Sequence, residues 1–475
     1  MSTPTFAVVG HPNKGKSSIV STLAQDDSVR IAPEPGTTTE CRAYPMRVDG
    51  EVQYVLVDTP GFQRARRALE WMRARETHAG AHRAVVEAFV AEHRRTGEFP
   101  DECELLAPVL AGAGILYVAD GARPYGPDFE AEMEILRWTG QPSMALINPI
   151  GGDAHVAEWR AALQQYFKIV RVFDAHGASF EARLDLLRGF GQLAEEWRAP
   201  LEAAVAAIEQ ERGRVHARVA RALAELLADA LTHVATRRIP DGADEGDFRE
   251  SLEREWKDDL RERERAARRA VERIYGHRAI ERDERPLDPL EQDLFSVEHW
   301  FLWGMNRRQL VASGAAGGAA VGGAIDAVAH GASLLAGALL GAVVGGAAAW
   351  GSSGRLARMR VFALPVGGRL LRCGPAASPN FPYVLLGRAL YHHARIAGRT
   401  HAVRAPLALD EPGANWIERL AAEERRALDR SLRELRRGAA DADADLARSL
   451  TPIVAQGDAP GGASAPAPLR ASAAP

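Results

Sequence analysis

The chain has 475 residues, of which 26% are charged, and a formal net charge of −4. With no global basic field, the composition gives no support to a nucleic-acid-binding role. Three cysteines without paired spacing (Cys41, Cys103 and Cys373) exclude a disulfide scaffold and point to a reduced, cytoplasmic setting.

The length suggests two to four domains. No basic segment followed by a long apolar one opens the chain, so no signal peptide is expected. Instead "TFAVVG" enters a strand at once. It is the first of five short apolar runs, followed by "VQYVLVD", "AGILYVAD", "SMALIN" and "KIVRVFD". None alternates cleanly, as expected of parallel strands covered on both faces. Helical stretches between several of them predict an α/β, doubly wound, mostly parallel sheet over residues 1–200. An arginine-rich helical insert, with a solvated face, is expected at about 64–108.

Between the first strand and the helical "SSIVSTLAQ" stands "GHPNKGKS", a complete G-x-x-x-x-G-K-S. Strand before and helix after are the context that this motif needs. Gly10 and Gly15 let main chain wrap a phosphate, and N–H groups across the loop, including those of Asn13, Lys14, Gly15 and Ser18, face the anion. Lys16 is suited to the β- and γ-phosphates, and the Ser17 hydroxyl to Mg²⁺. Lysine is scarce in this chain: only Lys14, Lys16, Lys168 and Lys257 occur, the remaining positive charge being arginine. "DTPG" then ends the second apolar run. Asp58 at the strand tip is a candidate Mg²⁺ residue, and Gly61 can offer its N–H to a γ-phosphate. Between the two motifs lies "PEPGTTTE". A threonine there can close over Mg²⁺ and the γ-phosphate; spacing favours Thr38, with Thr37 and Thr39 as alternatives.

The residues "GHPNKGKSS", "PGTT" and "DTPGF" resemble the Era/TrmE/EngA branch of the translation-factor-class GTPases. In its layout the whole chain is similar to a proteobacterial family of such GTPases with a long, uncharacterised helical C-terminal domain. The motif resemblance spans residues 5 to about 178. It implies GTP and Mg²⁺ as ligands, and a nucleotide-dependent switch that hydrolyses GTP. It also implies a K⁺ site at Asn13, and no water-orienting side chain at Phe62; the neighbouring Gln63 ranks low for that task. The guanine-reading N-K-x-D is incomplete. Asn148 is present, but Pro149, Ile150 and Gly151 follow it, and Asp153 comes two positions late. Ala175, in "VFDAHG", stands where main chain contacts the base oxygen. Two alternatives stay open: a nucleotide-binding membrane scaffold with negligible turnover, and a P-loop NTPase with relaxed base preference.

Beyond residue 200 the pattern turns helical. Residues 201–310 are expected to form a helical domain that opens at Pro200 and includes a charge-laced helix with one face solvated and one side packed. Residues 311–350 are a Gly/Ala-rich hairpin, in which 331–350 carries no charge and is long enough to span a bilayer. Gly337, Gly341 and Gly345 recur every four residues, a spacing that lets helices approach closely. Asp326 costs about 2.5 to 3.5 kcal/mol if it sits mid-membrane. The block therefore suggests lipid contact at the inner membrane, peripheral or integral, or else a packed hairpin or a homo-oligomer interface. Residues 351–437 are mixed and mainly helical, with His392 and His393 in an ordinary surface or core role, and 438–475 is an Ala/Pro/Gly-rich tail expected to be disordered.

Overall fold

A computed structural model describes residues 3–26, 28–29, 38–240, 244–277, 360–361, 364–365, 369–403 and 420–457. The Gly/Ala-rich block, 311–350, lies outside the described residues. Among those described, no helix is long and apolar enough to cross a membrane.

Six strands form one sheet: β1 (Thr5–Val9), β2 (Arg42–Val48), β3 (Glu51–Asp58), β4 (Gly114–Asp120), β5 (Ser143–Asn148) and β6 (Val170–Val172). Their order is β2-β3-β1-β4-β5-β6. All neighbours are parallel except β2, which pairs antiparallel with β3. The five apolar runs are the five parallel strands; β2 was not among the expected elements. Pro45 interrupts its pattern, and proline is tolerated there because β2 lies at the sheet edge. Strand β1 lies between β3 and β4, so the chain turns to opposite sides of it. That is the switch point at which ligands bind outside the carboxyl ends of such sheets, and "GHPNKGKS" occupies it.

Helices cover both faces. On one lie α2 (Ala65–Arg73), α3 (His82–Thr96), α4 (Pro100–Leu110), α5 (Asp128–Trp138) and α6 (Val156–Leu163). The insert is therefore part of the core, through Leu69, Met72, Phe89 and Leu106. Its arginines Arg66 and Arg67 stay exposed on the opposite face of α2. On the other face lie α1 (Lys16–Ala24), α7 (Phe180–Phe190) and the start of α8 (Glu195–Thr232).

Helix α8 corrects the expected boundary at 200. Its 38 residues run unbroken through it, about 57 Å at the standard rise. Pro200 is inside the helix and not at its start. Trp197, Leu201 and Val205 belong to the sheet-side core, whereas Val219, Leu223 and Leu227 belong to a second, helical core. That second core gathers α9 (Glu245–Ile274), α10 (Phe381–Ala397), α11 (Ala422–Arg436) and α12 (Ala442–Gly457), with β7 (Ala235–Ile239) paired to β10 (Arg369–Cys373). Strands β8 (Arg360–Val361) and β9 (Leu364–Pro365) form a separate short pair.

One further expectation is corrected here. Residues 442–457 of the supposed tail form α12, which lies along α8 and buries Leu446, Leu450, Ile453 and Val454. Alanine-rich composition hid that apolar stripe at helical spacing. The charge-laced helix α9 packs on one side, and that side includes charged residues: Glu264, Arg268 and Glu272 are buried. Arg388 of α10 approaches Glu264 to 2.6 Å, and Arg268 to 2.7 Å. Burial pushes the Glu264 carboxyl up, but the two guanidinium groups outweigh it and hold it below its ordinary range.

Candidate functional site

The loop after β1 turns through backbone that glycine adopts most readily. Gly10 has φ 139° and Gly15 φ 81°. A Cβ on Gly10 would lie 2.6 Å from the Val118 carbonyl oxygen, and one on Gly15 would lie 2.3 Å from Asn148 Nδ2. Helix α1 starts at Gly15 with no side-chain cap and no acidic residue in its first turn. Its leading N–H groups are therefore left to an anion. The loop after β3 closes on this cradle: Phe62 N–H donates to Gly10 O at 3.3 Å, and a Cβ on Gly61 would meet Pro12 N at 2.5 Å.

Lys16 and Lys14 part company. Lys16 Nζ spans the loop, donating to Gly10 O at 3.3 Å and His11 O at 3.0 Å. Burial pulls its ammonium down to about 8, against the opposing pull of Asp58 and Glu132. Lys14 instead lies 3.6 Å from Asp120 at the tip of β4. Its side chain is thus committed to the fold, and only its main chain remains for a ligand. Behind the loop, His11 Nδ1 lies 2.8 Å from Glu132 Oε1, and Tyr117 donates to Glu132 Oε2 at 2.9 Å. Burial pushes this carboxyl up in spite of both partners.

Ser17, Thr38 and Asp58 meet at one point. The Ser17 hydroxyl donates to Asp58 Oδ2 at 2.7 Å and that of Thr38 to the same oxygen at 3.4 Å. Thr39 is exposed, and Thr37 lies outside the described residues. Asp58 is buried, which raises its carboxyl, and its Oδ1 has no hydrogen-bond partner. An orphaned carboxylate oxygen beside two hydroxyls fits Mg²⁺, which takes one or two carboxylates and completes its shell with water and phosphate. Among the described residues no cluster of three or more His, Cys, Asp or Glu offers a different metal site. Asn13 is exposed in the left-handed region, at φ 60°.

At the other end, Asn148 joins two loops. Its Nδ2 donates to Lys14 O at 3.5 Å, and its Oδ1 accepts from Ala175 N–H at 3.3 Å. Asp153 is exposed ahead of α6, and Ser18 is buried in the first turn of α1. Phe62 is 1% exposed, so its ring is core and it cannot orient water.

Sequence reasoning missed two residues of α4. Glu102 Oε1 accepts from the N–H groups of Gln63 and Arg64 at 2.9 and 2.5 Å. Glu104 Oε1 accepts from Cys41 N–H at 2.9 Å, and Cys41 Sγ donates to Glu104 O. Glu102, in the first turn of the helix, looks like a dipole partner, and no local signal marks the distant N–H groups that the two residues meet.

Residues 160–451 match a family model described as domain of unknown function (DUF3482), and residues 5–107 match one described as 50S ribosome-binding GTPase. GTPase Der of Vibrio cholerae is 28% identical over 204 residues, 42% of this chain and 35% of that protein. GTPase Der of Mycoplasma pneumoniae is 44% identical over 59 residues, 12% of this chain and 13% of its own. The chain thus spans about a third, or less, of the length of these relatives. Among solved structures, an Aquifex aeolicus Era variant bound to GDP and AlF4⁻ aligns with a TM-score of 0.27 at 16% identity, covering 58% of this chain and 90% of that one.

Proposed function

The chain belongs to the family defined by the DUF3482 domain, and on that premise we propose that it is a GTP-binding switch that hydrolyses GTP to GDP and phosphate. One observation carries the reading: Ser17, Thr38 and Asp58 converge beside a glycine cradle at the sheet's switch point. Main-chain N–H groups from Asn13 to Ser18 hold the phosphates, and Lys16 leaves the Gly10 and His11 carbonyls to neutralise the β- and γ-oxygens. Gly61 N–H meets the γ-phosphate. Asn148 and Ala175 border the base. Ser17, Thr38 and Asp58 would hold Mg²⁺, which when bound supplies charge neutralisation at the β- and γ-phosphates. Thr38 reaches Asp58 only through a long hydrogen bond, so the triphosphate is what draws its loop in. With Phe62 buried, main chain alone orients the attacking water, and intrinsic turnover is slow.

Calorimetry with GTP, GDP and ATP tests this. Binding of GTP and GDP, lost in Lys16→Ala, is the expected result; unchanged affinity in that variant defeats the reading. A second reading, a P-loop NTPase with relaxed base preference, is favoured by Pro149 and Gly151 standing where a lysine and an aspartate would read guanine. Equal affinity for GTP and ATP would decide for it. Three finer parts are proposed from sequence alone: K⁺ at Asn13, and lipid contact or self-association through 311–350. Phosphate release in K⁺ against Na⁺ and with or without liposomes, and the mass in solution, test them in turn. Negligible release in every condition would favour the scaffold reading instead. A cytoplasmic location accords with all of these.

A further inference from the structure

The base end of the site lacks two of its usual side chains, yet its loop is tied from three directions. Ala175 N–H is held by Asn148, and Ala175 O accepts from the Thr22 hydroxyl of α1 at 2.7 Å. A third tie comes from the C-terminal domain. The Thr400 hydroxyl, just past α10, is shared between Ala175 O at 3.0 Å and His176 O at 3.1 Å. The next residue continues the contact, because His401 O accepts from Ser21 of α1 at 2.9 Å. Thr400 and His401 are 4% and 7% exposed, so this is buried polar contact, of the kind that costs free energy wherever it is left unmade.

Helix α10 delivers these two residues from a fixed position. Arg388 pairs with Glu264, His392 Nε2 lies 3.1 Å from Glu272, and Tyr275 lies 2.8 Å from His393. The His401 ring stacks on that of His277, just beyond α9, at 4.6 Å. Any shift of α10 is therefore felt at the Ala175 loop and at α1 together.

We propose that Thr400 is a positioning residue for the nucleotide base: the C-terminal domain completes the base end of the site and sets how tightly the base is held. The inference rests on the nucleotide-binding reading above. Thr400 touches only main chain of the loop, and so acts through Ala175 and not on the nucleotide itself.

The test uses the full chain and two ligands, GDP and inorganic tripolyphosphate, which has phosphates but no base. Thr400→Val is expected to bind GDP roughly tenfold more weakly, the order of effect of losing one buried hydrogen bond, with tripolyphosphate affinity unchanged. Thr400→Ser, which keeps the hydroxyl, is expected to stay within about twofold of wild type for both. A thermal melt checks that each variant folds, and Thr400→Ala replaces the valine variant if that one does not. GDP affinity in Thr400→Val or Thr400→Ala equal to wild type, or an equal loss for both ligands, overturns the proposal. A wild-type chain that binds tripolyphosphate but not GDP also overturns it. A wild-type chain that binds neither ligand overturns the underlying site reading, a result distinct from the others.

Discussion

Lys16 carries a charge that its buried setting does not favour. Burial depresses its ammonium to about 8, and the carboxylates of Asp58 and Glu132 restore only part of the loss. A bound phosphate favours the charged form and raises that value again. The sign follows directly. Below pH 8 the lysine is protonated in the free and bound chains, and affinity is flat. Above pH 8 the free chain has lost the proton, so binding must take one up. Affinity is then expected to fall by up to about tenfold per pH unit, until the bound-state value is passed. Calorimetric titrations of GDP between pH 7 and 9.5, in buffers of different ionisation enthalpy, read both the fall and the proton uptake. A flat profile would mean that Lys16 is not the group that meets the phosphate.

Helix α4 shows what a single element does for two loops. Glu102 caps the start of α2, just after Gly61, and Glu104 holds Cys41, three residues after Thr38. Both carboxylates come from one helix whose Leu105, Leu106 and Val109 are fully buried. The insert thereby braces the two segments that border the γ-phosphate in the proposed reading. Glu102→Ala would leave two N–H groups without their acceptor, at a cost of about 1–3 kcal/mol. Chemical denaturation of the nucleotide-free chain should register that loss. Turnover is expected to drop more than GTP affinity does, because the cap orders the loop that follows Gly61 and leaves the phosphate cradle intact. Equal stability and turnover in the variant would remove α4 from the account. The cap was not legible in the sequence: Glu102 stands 39 residues from Gln63, and Glu104 63 residues from Cys41.

At the scale of the molecule, α8 makes one body of the two cores, and α12 closes the second. Leu446, Leu450, Ile453 and Val454 are each at most 5% exposed. Burying one such side chain stabilises by about 1.5–3 kcal/mol, so the four together rival the stability of an ordinary domain. Deletion of 438–475 is therefore expected to unfold the helical core, read as loss of the upper part of a thermal melt and rapid proteolysis after α8. A deleted chain that melts like the full one would show that α12 contributes little.

What the amino-acid order determined by itself was whatever is local along the chain. Eight consecutive residues, Gly10 to Ser17, form the cradle proposed for the phosphates, because contiguous main-chain N–H groups and two glycines are sufficient to build it. The five buried strands showed themselves as continuous apolar runs for the same reason, each being a property of a few neighbouring residues. Folding alone decided the rest. It set β2 at the sheet edge in spite of Pro45, turned Lys14 to Asp120, and hid Glu264 and Arg268 of α9 in ion pairs. It also brought Thr400 onto the Ala175 loop across 225 residues. No periodicity or propensity encodes such a meeting, since which hydroxyl finds which distant carbonyl is settled only when the helical core and the sheet close on each other.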